Sequence, residues 1–149
     1  MAFNSITRLR LRALITLPAF MREVEAIVAQ ARGSAGYLGG ALLVEGRMVA
    51  WTRTAWDSEA AMKAFRDSGA HRASMPKLMD WCDEACVAHW EGNKETDWSV
   101  IHARLTRELR LSKIRHPTKA HQEKRIAPLF RWLPERPVEP AVDSDAATR

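Results

Sequence analysis

The sequence predicts an α+β fold of the split β-α-β, ferredoxin-like kind, with an antiparallel sheet, both helices on one of its faces, and a C-terminal helical extension. Three observations carry that expectation. The order of patterns over the first ~90 residues is strand, helix, strand, strand, helix, strand. Gly46-Arg47 separates two apolar runs as a hairpin turn would. Beyond Gly92 the pattern gives way to a basic, helical segment. Helices on one face leave the other face of the sheet to be covered, and a second copy of the chain is the simplest cover. The expected assembly is therefore a homodimer.

Each element has a local reason. Ser5 to Arg12 alternates, with Ile6, Arg8, Arg10 and Arg12 against Thr7, Leu9 and Leu11, the period of a half-buried strand. Thr16 before Leu17-Pro18 is a helix start, with proline in the first turn. Phe20, Val24, Ile27, Val28 and Ala31 recur at helical spacing, and Gly33 is the stop. Tyr37 to Glu45 is a strand entered through Gly36, Gly39 and Gly40, which admit a bulge or a close approach. Met48 to Trp56 is its hairpin partner. Asp57 or Ser58 caps a second helix with Ala61, Met62 and Phe65 on its inner face, broken at Gly69. A short helical piece around Pro76 carries Met75, Leu78, Met79 and Trp81, and Ala85 to Glu91 is the fourth strand. Asp97 or Thr96 caps a helix whose Trp98, Ile101, Leu105 and Leu109 share one face. Leu129, Phe130, Trp132 and Leu133 form a small apolar cluster expected to dock on the domain. The division is 1–93 for the α+β domain, 94–133 for the extension, and 134–149, with three prolines in its first seven residues, for a disordered tail.

Composition narrows the function classes. The chain has 149 residues, 46% apolar and 28% charged, so one soluble domain with a core is affordable. The longest purely apolar run is four residues, such as Ala41 to Val44, against about 20 for a membrane helix. The first 20 residues hold three arginines and no h-region, so no export signal is expected. Two cysteines, Cys82 and Cys86, make no disulfide framework; the expected compartment is the cytoplasm. Net charge is +5, and its excess sits in residues 104–132, with nine basic and two acidic side chains. No recognised nucleic-acid motif accompanies it, so a solvated face is expected and nucleic acid is not the expected partner.

The stretch Thr52 to Trp81 resembles the central motif of the dimeric α+β barrel superfamily, which includes antibiotic-biosynthesis-monooxygenase-like domains. More narrowly it is similar to an uncharacterised bacterial branch that ends its third strand in Thr-x-Ser-x-Trp, here Thr52-Arg53-Thr54-Ala55-Trp56. Asp57, Phe65, His71 and Trp81 occupy that branch's acidic cap, helix face, post-helix histidine and pre-strand tryptophan. In layout it also resembles the spheroidene monooxygenase group. The resemblance implies a fold and a dimer. For function it implies a range: cofactor-free oxygenases, haem degraders, isomerases and ligand binders. Haem-degrading members carry tryptophan and histidine where this chain has Phe65 and Met75, which lowers the haem-degrading reading.

Candidate site residues follow from the residues and this layout together. His71 sits at a helix end, where a cavity between helices and sheet would open, and an imidazole there can act as a base near neutral pH. Trp56, Phe65, Met75, Trp81 and His89 are the candidate ligand-binding residues. Trp56, Phe65 and His71 are expected around one cavity, with His71 the sole titratable group on its apolar wall. His89 and Trp90 alternate on the last strand and face opposite ways. Cys82, Cys86 and His89 match no common metal spacing, so no metal is expected. The leading expectation is a small-molecule site of the monooxygenase-like kind, with His71 deprotonating a planar apolar substrate that then reacts with O₂ without a cofactor. The alternatives are a haem protein ligated by His71 or His89, and a non-catalytic interaction module working through 104–132.

Overall fold

A computed structural model describes residues 1–46 and 48–142. Strand β1 (Ala2–Leu11) is followed by a 3-10 turn (Leu14–Thr16) and helix α1 (Leu17–Arg32). Then come β2 (Tyr37–Glu45), β3 (Val49–Trp56), α2 (Glu59–Arg66), α3 (Gly69–Trp81) and β4 (Cys82–Gly92). The extension adds α4 (Trp98–Glu108), β5 (Arg110–Leu111), α5 (Lys119–Gln122) and β6 (Arg136–Val138). The sheet is antiparallel, in the order β5-β4-β1-β3-β2-β6. The first four strands and the helices between them are the expected α+β arrangement, and the helical extension follows them. No helix among the described residues is long and apolar enough to cross a membrane.

Register assigns the faces. Phe3 lies opposite Trp56, and Arg8 opposite Trp51. Phe3, Trp56, Met62, Phe65 and Ala31 form a core between the sheet and helices α1 and α2. Leu11, Phe20, Cys82 and Ala85 extend that layer towards α3. Ile6, Leu43, Trp51, Ala88 and Trp90 lie on the opposite face, against Trp98, Ile101 and Leu105 of α4 and Leu109 just beyond it. Gly40 shows how tightly β2 and β3 approach: a Cβ there would stand 2.1 Å from the carbonyl oxygen of Arg53.

Three expectations change. The second sheet face is covered by the chain's own α4 and not left to a partner: Trp51 is 1% exposed and Val49 3%. The apolar face of α4 supplies that cover. Residues 134–142 are not disordered. Val138 is buried, and β6 adds to the edge of β2. Tyr37 Oη donates to the Val138 carbonyl at 2.7 Å, Arg32 Nε donates to the Glu139 carbonyl at 2.9 Å, and the Ala141 amide donates back to the Arg32 carbonyl at 2.9 Å. Composition spoke for disorder, but proline is tolerated on an edge strand whose N–H faces away from the ladder. The remainder of the expected tail, 143–149, lies outside the described residues. Of the apolar cluster 129–133, Leu129 packs on the core, while Phe130 and Trp132 are both 61% exposed.

Arg8 is 2% exposed, beneath the sheet, with its Cζ 5.8 Å from the Trp51 ring and an oxygen of Glu84 3.9 Å away. Arg10 donates to Asp83 at 2.8 Å.

Candidate functional site

A cavity of about 360 Å³ lies between α2, α3 and the sheet. Its floor is Thr7 and Leu9 of β1 with Ala85, Val87 and His89 of β4. These residues alternate with buried ones on the α4 side, so strand period alone selects them. Met62, Phe65 and Arg66 of α2 and His71, Met75, Leu78 and Met79 of α3 form the wall above. Arg110, Ser112, Lys113 and Ile114 close the side where the sheet ends at β5.

His71 is held from two directions. Its backbone amide donates to Gln30 Oε1 at 2.8 Å, and its Nδ1 lies 3.0 Å from the Arg66 carbonyl oxygen. A carbonyl only accepts, so Nδ1 carries the proton of the neutral ring and Nε2 keeps its lone pair. Burial lowers the pKa of His71, although the bond to Arg66 pulls the other way. The imidazole is therefore neutral near pH 7, with a basic nitrogen available.

His89 has the complementary tautomer. Arg110 Nη2 donates to its Nδ1 at 3.1 Å, which leaves the proton on Nε2. Burial lowers its pKa, and the Arg110 charge lowers it further. One cavity thus holds an imidazole acceptor and an imidazole donor.

Four of the six candidate residues line this space: Phe65, His71, Met75 and His89. Phe65 bridges to the interior, its ring 5.0 Å from His71 and 4.9 Å from Trp56. Trp56 itself is fully buried behind Phe65, and its indole Nε1 donates to Thr54 Oγ1 at 3.0 Å. It backs the wall and does not line the cavity. Trp81 packs with the Leu11 and Phe20 group and does not itself line the cavity. His71 is not the sole titratable group, since His89, Arg66, Arg110 and Lys113 share the cavity. Arg110 and Lys113 escaped the sequence reading because β5 is two residues long and shows no period. The charge excess of 104–132 was their one visible signal.

The cysteines are not part of this site. Both are buried, and burial pushes Cys82 up to about 12 and Cys86 up to about 11, so neither thiol is a nucleophile near neutral pH. Among the described residues, no three metal-ligating side chains converge.

Solved structures with the same architecture share little sequence with the chain. The fold is that of the antibiotic-biosynthesis-monooxygenase-like proteins. A putative antibiotic biosynthesis monooxygenase from Nitrosomonas europaea superposes with a TM-score of 0.57 at 13% identity, over 64% of this chain and 94% of that one. A conserved protein from Methanosarcina mazei Go1 gives 0.57 at 12% identity, over 62% and 94%. SnoaB, a cofactor-independent oxygenase from Streptomyces nogalater, in a mutant form, gives 0.54 at 10% identity, over 63% and 95%. Nearly the whole of each neighbour is matched, and more than a third of this chain is not. No family model and no curated protein matches the sequence.

Proposed function

We propose that the cavity above the sheet is a small-molecule site of the monooxygenase-like kind, and that His71 is the base of a cofactor-free oxygenation. The observation that carries this reading is the tautomer of His71. A neutral imidazole with Nδ1–H tied to a backbone carbonyl has the form a general base needs. The apolar wall of Phe65, Met62, Leu9 and Leu78 suits a planar body.

The chemistry balances without a cofactor. Nε2 of His71 takes a proton from an activated CH₂ group, leaving a delocalised carbanion. The carbanion donates an electron pair to O₂, forming a C–O bond and a peroxide anion, which the imidazolium protonates. Loss of the second C–H proton then expels hydroxide as the O–O bond breaks. The carbon becomes a ketone, a four-electron oxidation matched by the four-electron reduction of O₂, and the other oxygen leaves as water once the hydroxide has taken up the second C–H proton. His89 Nε2–H supplies a donor to the charge that develops on the substrate oxygen.

The test is oxygen consumption with anthrone, a planar CH acid, measured against its spontaneous oxidation. Acceleration by the native chain, lost in His71→Ala with anthrone binding retained, is the expected result. Equal rates for the two proteins would remove His71 as the base. The haem alternative draws on the same ring, because metal-bound histidines also tie their second nitrogen to a carbonyl. A visible absorption band on adding haemin, abolished in His71→Ala, would support that reading instead.

A further inference from the structure

The cavity's charge is one-sided. Arg66, Arg110 and Lys113 line it, and among the described residues no aspartate or glutamate does. Arg66 is largely spoken for, since Nε and Nη2 donate to Asp67 at 2.8 and 3.1 Å. Arg110 and Lys113 are different: among the described residues neither pairs with a carboxylate. The single bond Arg110 makes, through Nη2 to the neutral ring of His89, leaves Nε and Nη1 free. Glu59, whose carboxyl the Arg110 charge helps to lower, is engaged by Lys63 at 2.9 Å. Both cations sit where the sheet ends, and the apolar lining of Leu9, Val87 and Phe65 extends inward from them.

We propose that the ligand of this cavity carries a permanent carboxylate on its planar apolar body, held by Arg110 and Lys113 while the body lies against Phe65. The proposal rests on the cavity being a ligand site and adds the ligand's charge. A guanidinium presents a planar fork that matches a carboxylate, and an ammonium beside it adds a point charge. The proposal also gives the basic segment after α4 a task. It supplies the pole that fixes which end of the ligand faces the solvent, so that the opposite end reaches His71. The segment therefore sets substrate class, and the helices and sheet set shape.

The experiment is calorimetric titration of the full chain with 2-naphthoate and with its neutral isostere 2-naphthamide, in low salt. Naphthoate should bind at least tenfold more tightly, about 1.4 kcal/mol. In the double variant Arg110→Gln/Lys113→Gln the two ligands should bind within about threefold of each other, through loss of naphthoate affinity. Lys113 is exposed, so Lys113→Gln alone tests the charge without risk to folding and should remove part of the preference. His71→Ala should keep the preference. Equal binding of both ligands by the native chain would overturn the carboxylate and leave the cavity as a ligand site. A preference that survives the double variant would overturn the assignment to Arg110 and Lys113. Failure of both ligands to bind would overturn the ligand-site reading itself, and this inference with it.

Discussion

Gln30 of α1 holds His71 of α3 in place through the backbone: Oε1 accepts the His71 amide at 2.8 Å. Its Nε2 meanwhile donates to the carbonyls of Phe65 and Ser68, both at 2.9 Å. One side chain thus joins the end of α2 to the start of α3 across the bend at Gly69, where φ is +56°. The bend is tight because a Cβ on Gly69 would stand 3.1 Å from the Gln30 amide carbon. The candidate base is presented by a clamp forty-one positions earlier in the chain.

The clamp gives a first prediction. Gln30→Ala removes these hydrogen bonds at a partly exposed junction and should cost on the order of 1–2 kcal/mol. It should also change the ring's environment. Histidine ¹⁵N shifts report the tautomer directly, and His71 should lose its Nδ1–H preference in the variant. An unchanged His71 spectrum beside a normal stability loss would show that Gln30 is structural only.

Acid titration gives a second. Burial lowers the pKa of His71 in the folded protein below the ordinary 6.5, so protons bind the unfolded chain first. Stability from this group is complete above pH 6.5 and is lost as pH falls towards the folded pKa. His89 and His121 are lowered mainly by burial too and act in the same direction. Urea midpoints should be level from pH 7 to 8 and should fall below pH 6.5. In His71→Phe, which keeps an apolar ring, that fall should be smaller. If His71 is the base, the acid limb of anthrone oxidation should lie below 6.5; a midpoint above 6.5 would contradict the assignment.

The C-terminal strand gives a third. Glu135 holds Arg53 through three contacts of 3.1 to 3.3 Å and accepts from the Trp98 indole at 2.7 Å. Burial works against its ionisation, yet these partners keep its carboxyl below the usual range. Truncation after Leu133 strands Arg53, which is 7% exposed, and uncovers Tyr37 beneath Val138. A buried arginine that loses its partner costs about 3 kcal/mol, less here because Glu135 is partly solvated. The melting temperature should fall by more than about 5 °C. No change would mean that β6 contributes nothing in solution.

Much of this fold was legible because period and turn chemistry are local. The hairpin, α1 with its glycine stop, the Ser58 cap that accepts the Ala61 amide at 3.1 Å, and the apolar face of α4 all stand where pattern put them. Long-range destinations were not legible. Nothing in Trp98, Ile101 and Leu105 says which surface they cover, and β6 is three residues with a proline, too short to show alternation. The site divides the same way. Phe65 and His71 follow from one helix and its end. Arg110 and Lys113 reach the cavity through a two-residue pairing of β5 with β4 that depends on the whole extension.

The same extension decides the assembly, which is the last prediction. A four-stranded sheet with helices on one face exposes the other, and Trp51 and Val49 on that face argue for a partner. In this chain Trp98, Ile101 and Leu105 are each at most 2% exposed against it. The indoles of Trp51 and Trp98 meet edge to face at 6.3 Å. A second copy cannot bury what α4 already buries, and the sheet edges are the short strands β5 and β6, poor templates for pairing between chains. Light scattering at micromolar concentration should therefore give one chain of 16.9 kDa. Ile101→Asp should unfold the protein and not merely change its association, because the face it serves is intramolecular. A stable dimer that survives Ile101→Asp and is broken by Phe130→Ser/Trp132→Ser would overturn this. It would move the interface to the exposed rings after Leu129, and α4 would be left as a lid that the fold does not need.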